Sequence, residues 1–302
     1  MEPFQRYRDV VDDFEAFIDA CERSLSMAVR VNTLKATPEQ VERAFDEAGV
    51  GYERADWHPH VVRVETDTPG VTWPSIHGWV HGQEEVSAVP ALALDPRPGE
   101  TVLDACAAPG SKASQLAALM DDSGVLVAND DSLGRLAPLR SNLDRLGVTC
   151  AAVTNRDGRD IELDDVGADA VDRALVDAPC TCEGTIRKNP DALDDWALEH
   201  VSAVAGVQKG VLRRAVQATK PGGRVVYSTC TFAPEENEAV LDYVLGEEDC
   251  RLVEFDLPLE HAPGVPAWEG TTYDDSVTRA KRIYPHHNDT GGFFVATLEV
   301  TG

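Results

Sequence analysis

The chain has 302 residues, 43% of them hydrophobic, which suits one large domain with a smaller companion and a substantial core. No apolar run approaches the roughly 18 residues of a membrane span, the start MEPFQRYRDVVDDF lacks the layout of a signal peptide, and the seven cysteines follow no disulfide-scaffold pattern. Asp and Glu total 53 against 27 Lys and Arg, a net charge of −26, with only six Lys among the cations.

These bounds point to a cytoplasmic monomer without a membrane partner. Acid spread through the whole chain reads as a surface tuned to concentrated salt, so a halophilic source is expected. At about 1 M salt the Debye length is only about 3 Å, so the net charge does not veto a nucleic-acid partner.

Residues 1–82 form the first region. YRDVVDDFEAFIDACE has helical apolar spacing at Val10, Val11, Phe14, Phe17 and Ile18. MAVRVNTLK then alternates like a strand. TPEQVERAFDEAG follows with Thr37 as N-cap, Pro38 at the first helical position, Gln40 completing a capping box and Gly49 as the stop. HVVRVET is a further strand. The pattern predicts a small α+β module of the kind that presents a sheet face to RNA or packs as an accessory.

Residues 83–302 change to strand–helix alternation. TVLDACA (101–107), VLVAND (125–130), CAAVTN (150–155), RALVDAP (173–179) and GRVVYST (223–229) are short, mostly apolar runs suited to a parallel sheet buried on both faces. The longest helical stretch, HVSAVAGVQKGVLRRAVQATK, puts Val201, Val204, Ala205, Val211, Leu212, Ala215 and Val216 on one face, with Pro221-Gly222-Gly223 as its end. GGFFVATLEV closes the chain as a strand. The fold class is α/β, a doubly wound, mostly parallel sheet with a small N-terminal α+β module. The irregular stretch 256–291, rich in Pro, Gly and aromatics, is expected to face substrate.

The first strand–helix turn, DACAAPGSK (104–112), brings backbone close to a ligand beside a helix N-terminus, but lacks the glycines and Lys-Ser/Thr of a phosphate loop. Asp130 ends the second strand 20 residues after Gly110, where an acid can accept bonds from ribose hydroxyls. Asp157 follows the third strand, placed to meet an adenine amino group. Acids at successive strand ends together favour a nucleoside ligand, although each alone also suits a helix cap.

DACAAPGSK, DAPCTCEGTIRKNP, VVYSTCTFAPEENE and RIYPHHNDTGGFFVA, with RVNTLK at 30–35, resemble the successive motifs of the RNA (cytosine-5) methyltransferases of the NOL1/NOP2/Sun family. The resemblance runs from about residue 24 to 298. It implies a class I methyltransferase (Rossmann-like) fold with S-adenosylmethionine as methyl donor. The implied donor contacts are Cys106, Ala107, Ala108, Pro109, Gly110, Ser111, Lys112, Asp130, Asp157 and Asp177. It also implies Cys230 as the nucleophile, Cys180 as the cysteine that assists product release, and Lys112 and Asp177 as the groups that position and activate cytosine. The RNA partner it favours is transfer RNA, as for compact archaeal members. Ribosomal RNA is the alternative, and a catalytically silent RNA-binding or ribosome-assembly factor is the alternative of another class. Two departures stand out. The family's Gly-Gly-Lys-Thr is Gly110-Ser111-Lys112-Ala113 here, and its Ser-Gly after the first cysteine is Thr181-Cys182.

The chemistry asks for two thiols on its own account. Carbon-5 of cytosine is too poor a nucleophile to take a methyl group until a thiolate adds at carbon-6. A base must later remove the carbon-5 proton so that the thiol can leave. Cys230 needs a lowered pKa for this, from a cation or a helix N-terminus. Cys21, Cys106, Cys150 and Cys250 read as small buried hydrophobes, and no metal site is expected at Cys180/Cys182 or His286/His287. Arg187, Lys188, Arg279, Lys281 and Arg282 are candidate phosphate contacts, and Tyr284-Pro285-His286 a candidate wall of the base pocket.

Overall fold

The computed structural model describes residues 1–164, 167–194 and 196–302. Strands β1 (Met27–Val31), β2 (Tyr52–Arg54), β3 (Val61–Val64) and β4 (Val80–Gly82) form a small antiparallel sheet in the order β2-β3-β1-β4. Helix α1 (Phe14–Cys21) precedes it, α2 (Pro38–Ala48) lies on it, and the single-turn α3 (Trp73–Ile76) leads into β4. Thr37 and Gln40 close the capping box of α2, and Gly49 ends the helix in the left-handed region at φ 65°. Val29 and Val31 of β1 and Val62 and Val64 of β3 bury against Val41 and Phe45 of α2.

Within the N-terminal region expected to end at residue 82, the apolar side chains of the first 21 residues pack on the larger sheet. The small sheet already covers its apolar face with α2, and the N-terminal aromatics find their partners elsewhere. Phe4, Tyr7, Phe14 and Phe17 join the core of the larger sheet, where Phe17 meets Phe232 and Tyr284 edge-on. The helix expected across 7–22 is broken for a local reason. Asp13 caps α1 by accepting from the Ala16 amide at 3.0 Å, which leaves Val10 and Val11 in the turn after a 3-10 helix at Glu2–Tyr7.

The larger sheet has nine strands: β5 (Thr101–Asp104), β6 (Val125–Asn129), β7 (Ala151–Thr154), β8 (Val171–Asp177), β9 (Thr219–Thr229), β10 (Cys250–Val253), β11 (Ala262–Pro263), β14 (Lys281–Ile283) and β15 (Phe293–Val300). A separate hairpin pairs β12 (Ala267–Trp268) with β13 (Thr271–Thr272). The order is β11-β14-β15-β9-β8-β5-β6-β7, with β10 on β15, and the five strands from β9 to β7 are parallel. Both faces are buried, as the apolar runs predict. Val102, Leu126, Leu175 and Val226 pack under helices α4 (Val89–Leu94), α5 (Ser111–Leu119) and α6 (Leu133–Leu146). Leu103, Val127, Val176 and Tyr227 pack under α7 (Leu198–Ala218) and α8 (Glu238–Glu247). From β5 the chain runs outward through β6 and β7, then resumes on the other side with β8 and β9. That switch point opens a crevice at the carboxyl ends of the strands.

Helix α7 stops at Ala218 and β9 starts at once, so Pro221-Gly222-Gly223 forms the distorted start of a strand, where the β8–β9 register shifts. Val204 is only half-buried, and Gln208 occupies the buried face instead. The stretch 256–291 does not front the crevice. It carries β11 to β14 and α9 (Pro285–Asn288), and it buries Trp268, Tyr273 and Val277 against the antiparallel edge. Apolar side chains spaced along it are what hold it there; of its residues, Gly291 lines the crevice.

Candidate active site

The crevice at the carboxyl ends of β5, β6, β8 and β9 holds a cavity of about 380 Å³. Its floor is the turn after β5. Gly110 makes that turn at φ 107° as the N-cap of α5, and a side chain there would stand 3.2 Å from Leu139. The first strand of the small sheet fixes α5 from behind. The buried Arg30 donates to Gln83 at 2.7 Å and to Ser114 of α5 at 2.8 Å.

Three thiols meet at the wall built by β8 and β9. The Cys180 sulfur lies 3.3 Å from that of Cys230 and 3.8 Å from that of Cys182. Their loops are held together by backbone: Gly184 donates to the Cys230 carbonyl at 2.8 Å, and Gly292 donates to the Gly184 carbonyl at 2.9 Å. A Cβ on Gly184 would come within 2.4 Å of the Gly292 carbonyl oxygen, so only glycine fits this approach. Cys182 itself takes φ 60°, a left-handed conformation that costs a side-chain-bearing residue roughly 1–2 kcal/mol.

Two buried glutamates set the loops' register, and neither was singled out from the sequence. Glu183 accepts from the Tyr7 hydroxyl at 2.9 Å, the Thr231 hydroxyl at 3.0 Å, the Phe232 amide at 3.1 Å and the Trp196 indole. Glu236 accepts from the Thr181 amide at 3.1 Å, its hydroxyl at 2.5 Å and Gln208 at 2.9 Å. Burial pushes the Glu236 carboxyl up to about 7 against those bonds. The one available signal was acid in otherwise apolar loops, CEGT and PEEN.

Of the three thiols, Cys182 is the one whose pKa falls, to about 3. Bonds from Cys180 and Cys230 pull Cys182 down against its burial, helped by Arg135 and His200. Cys180 is pushed up by its bonds to Cys182 and Cys230 and by burial. The bond from Cys180 draws Cys230 down, but Cys182, burial and Asp177 outweigh it and hold Cys230 well above an ordinary thiol. The lowered pKa expected for Cys230 is therefore absent in the resting site. The nearby cation, Lys112, is already paired with Asp177. Its ammonium donates to Asp177 at 2.7 Å and to Ser87 at 2.9 Å, and Ser228 donates to the other Asp177 oxygen at 2.9 Å. Burial would strip Lys112 of its proton, yet Asp177 outweighs it and keeps the lysine charged.

Residues 91–299 match the model of the 16S rRNA methyltransferase RsmB/F family, and residues 5–70 match its ferredoxin-like domain. The chain belongs to the RsmB/F methyltransferase family. It is 35% identical to the tRNA (cytosine(49)-C(5))-methyltransferase of Pyrococcus abyssi, over 97% of this chain and 94% of that one. It is 38% identical to ribosomal RNA small subunit methyltransferase F of Vibrio parahaemolyticus, over 95% of this chain but only 59% of that protein. The solved methyltransferase homologue of Pyrococcus horikoshii superposes with a TM-score of 0.85 at 32% identity, covering 98% and 93% of the two chains. This family member is an S-adenosylmethionine-dependent RNA methyltransferase.

The crevice fits that donor. Asp104, which ends β5 behind the floor, is fully buried, and among the described residues no side chain hydrogen-bonds its carboxylate, which only the Cys106 backbone approaches. Burial, then Asp177, push it up to about 7 despite Lys112. A buried orphan acid of this kind suits an arriving ammonium such as the donor's amino group. Its titration has a sign that can be checked. The folded state holds this proton more tightly than the unfolded chain, whose value is 3.8, so its stabilisation is complete below about pH 4 and lost as pH rises through about 7. Asp104→Asn is expected to remove about 2–4 kcal/mol of the stability lost between those limits. Urea unfolding at pH 4 and 8 checks this; an undiminished decline in the variant contradicts it.

Of the expected donor contacts, Cys106, Ala108, Pro109, Lys112, Asp130, Asp157 and Asp177 line the cavity. Ala107 and Ser111 line a smaller recess beside it, while Gly110 faces Leu139 and serves as a hinge of the turn. Asp130 is buried and accepts from the Ala108 amide at 3.3 Å and the Ser132 amide at 3.1 Å, with Arg135 at 3.2 Å. Asp130→Ala is expected to weaken S-adenosylmethionine binding by about 1–3 kcal/mol, read by calorimetry; unchanged affinity retires the assignment. Asp157 is held by a near neighbour. Arg159 clamps both its oxygens, at 2.9 and 2.5 Å, and holds its carboxyl down at about 2. An adenine amino group would have to share it.

The expected phosphate contacts mostly serve the fold. Arg187 donates to the carbonyls of Arg23, Ser24 and Thr290, Arg279 to that of Leu252, and Arg282 forms a buried ion pair with Glu238 at 2.5 Å. Lys281 is buried against His261 at 3.0 Å. Lys188 is the exposed one of the five that lines the cavity. Tyr284 packs into the aromatic core and His286 meets Asp12 at 3.0 Å, so neither walls the base pocket. His287 also meets Asp12, at 3.1 Å, and the three form a carboxylate–imidazole cluster away from the cavity-lining residues.

Proposed function

We propose that this protein methylates carbon-5 of cytosine in transfer RNA through a covalent bond between Cys230 and carbon-6. The observation that carries the reading is the 3.3 Å approach of two thiols from separate strand ends, beside the Lys112–Asp177 pair. The bound S-adenosylmethionine supplies the methyl group. Cys230 is a neutral thiol at rest, so its proton must leave as the sulfur adds. In the adduct one proton rests on ring nitrogen 3, which offsets the charge the thiol brings. Asp177, held between Lys112 and Ser228, is the group that holds the proton at that nitrogen, and Lys112 keeps the carboxyl oriented. Once carbon-5 carries the methyl group, its proton must go before the carbon–sulfur bond breaks and returns the electron pair to Cys230. Cys180, in contact with Cys230, takes that proton as a thiolate, having first lost its own proton to solvent, and the proton on ring nitrogen 3 leaves as the aromatic ring re-forms. The small N-terminal sheet serves as the RNA-binding accessory.

Transfer RNA is favoured by the similarity to a relative named for it, the archaeal tRNA (cytosine(49)-C(5))-methyltransferase matched over 97% of this chain. Bisulfite sequencing tests this on RNA from a strain lacking the gene, before and after treatment with the protein and S-adenosylmethionine. Newly protected cytosines in transfer RNA are expected; protection confined to ribosomal RNA would overturn the substrate, and protection in neither the activity.

We further propose a halophilic origin, supported by the net charge of −26 and the internal use of its cations. Melting temperature is expected to rise from about 0.1 to 2 M KCl as screening relieves self-repulsion. A flat or falling profile contradicts it.

A further inference from the structure

The reaction uses two thiols, and this site holds three. Cys182 stands two residues after Cys180 in the left-handed conformation, which turns its sulfur back to within 3.2 Å of the Cys180 carbonyl. That position puts it on the Cys180–Cys230 pair: the three sulfurs all lie within 4.8 Å of one another, with two of the separations at 3.3 and 3.8 Å. A zinc ion bonds thiolates at about 2.3 Å in a tetrahedron, which sets sulfurs about 3.8 Å apart. One observed separation equals that edge and one falls 0.5 Å short of it, so small side-chain rotations close the triangle around one ion. The surroundings suit a cation. Asp130, Asp131, Asp157 and Asp177 line the same cavity; of its cations Lys112 and Arg135 are tied to Asp177 and Asp130, and Lys188 is exposed to solvent, so the acids outnumber the cations.

We propose that Cys180, Cys182 and Cys230 form a three-thiolate site for a thiophilic divalent cation of the zinc class, and that filling it stops methyl transfer. Three protein sulfurs bond the ion, the displaced thiol protons pass to solvent, and the fourth position faces the cavity and takes water. No electrons change hands, so chelation reverses it. Inhibition follows because the ion occupies both sulfurs that the methylation cycle needs; this half rests on the proposed roles of Cys180 and Cys230, whereas the site itself rests on geometry. A two-thiol site would hold zinc weakly. The third sulfur makes the difference, and it lies in the loop position where the sequence resemblance leads one to expect glycine.

The test uses the full-length protein, stripped of metal, reduced with a phosphine and free of RNA. Zinc is titrated against a chromophoric chelator, and cobalt(II) is then substituted to report ligand type. One zinc per chain and thiolate-to-cobalt charge-transfer absorption are expected. Cys182→Ser and Cys182→Ala should each weaken binding by more than the about 100-fold that loss of an outer-shell partner costs. Asp12→Ala, which dismantles the cluster with His286 and His287, should change neither readout. Adding one equivalent of zinc should then abolish methyl transfer to RNA, and chelator should restore it. No zinc retained against the chelator, binding unaltered by both Cys182 variants, or cobalt bound without the thiolate band would each overturn the site. Zinc bound with the thiolate band while methyl transfer proceeds would overturn the inhibition, and with it the catalytic roles given to Cys180 and Cys230.

Discussion

Cys180→Ala is expected to accumulate as a covalent complex with methylated RNA, and Cys230→Ala to form no complex and lose turnover. The two sulfurs touch, yet they act on different bonds. Without Cys230 nothing adds to carbon-6, carbon-5 stays aromatic and poorly nucleophilic, and the rate should fall by on the order of 10⁴ or more, about 5 kcal/mol of barrier. Without Cys180 addition and methylation still occur, but the carbon-5 proton has no acceptor and the carbon–sulfur bond persists. The complex should run as a slow band on a denaturing gel and vanish with nuclease. The swapped pattern would reverse the roles of the two cysteines. Turnover retained in both variants, with no complex in either, would end the covalent mechanism.

Lys112→Met should lower turnover by about 10²–10⁴-fold and destabilise the fold together. Its ammonium lies 2.7 Å from Asp177, with the two side chains 10% and 29% exposed. Removing one partner of so enclosed a pair leaves the other unpaired and should cost about 2–4 kcal/mol of folding stability. The double variant Lys112→Met/Asp177→Asn removes that stranded charge. It should recover stability while turnover stays low, because the proton at ring nitrogen 3 still lacks its partner. Denaturant unfolding and single-turnover methylation measure the two effects separately. Turnover that recovers along with stability would reduce the pair to a structural ion pair.

The sheet was legible because its strands are buried on both faces and so read as unbroken runs of Val, Leu and Ala. The helix α2 was legible because its caps are local: Thr37, Gln40 and Gly49 act within their own turn. The site's thiols were marked by position, each just past an apolar strand. What stayed hidden depends on long-range partners. Arg187 looks like a free cation in RKNP, but three carbonyls from residues 23, 24 and 290 consume it. Phe17 and Tyr284 are 267 positions apart in sequence and packed ring to ring, which no local pattern announces. Glu183 and Glu236 read as surface acids until Tyr7, Trp196, Thr181 and Gln208 are seen to converge on them. Asp104 hid for the opposite reason: among the described residues no side chain pairs with it.

The most direct measurement of the central claim is the identity of the atom that bonds to RNA. The complex formed by Cys180→Ala would be trimmed with nuclease, digested with protease and sequenced by tandem mass spectrometry. A methylated cytidine nucleotide remnant on Cys230, in the peptide spanning VVYSTCTFAPEENE, is the predicted result. The same remnant on Cys182, or on any residue other than Cys230, would contradict it.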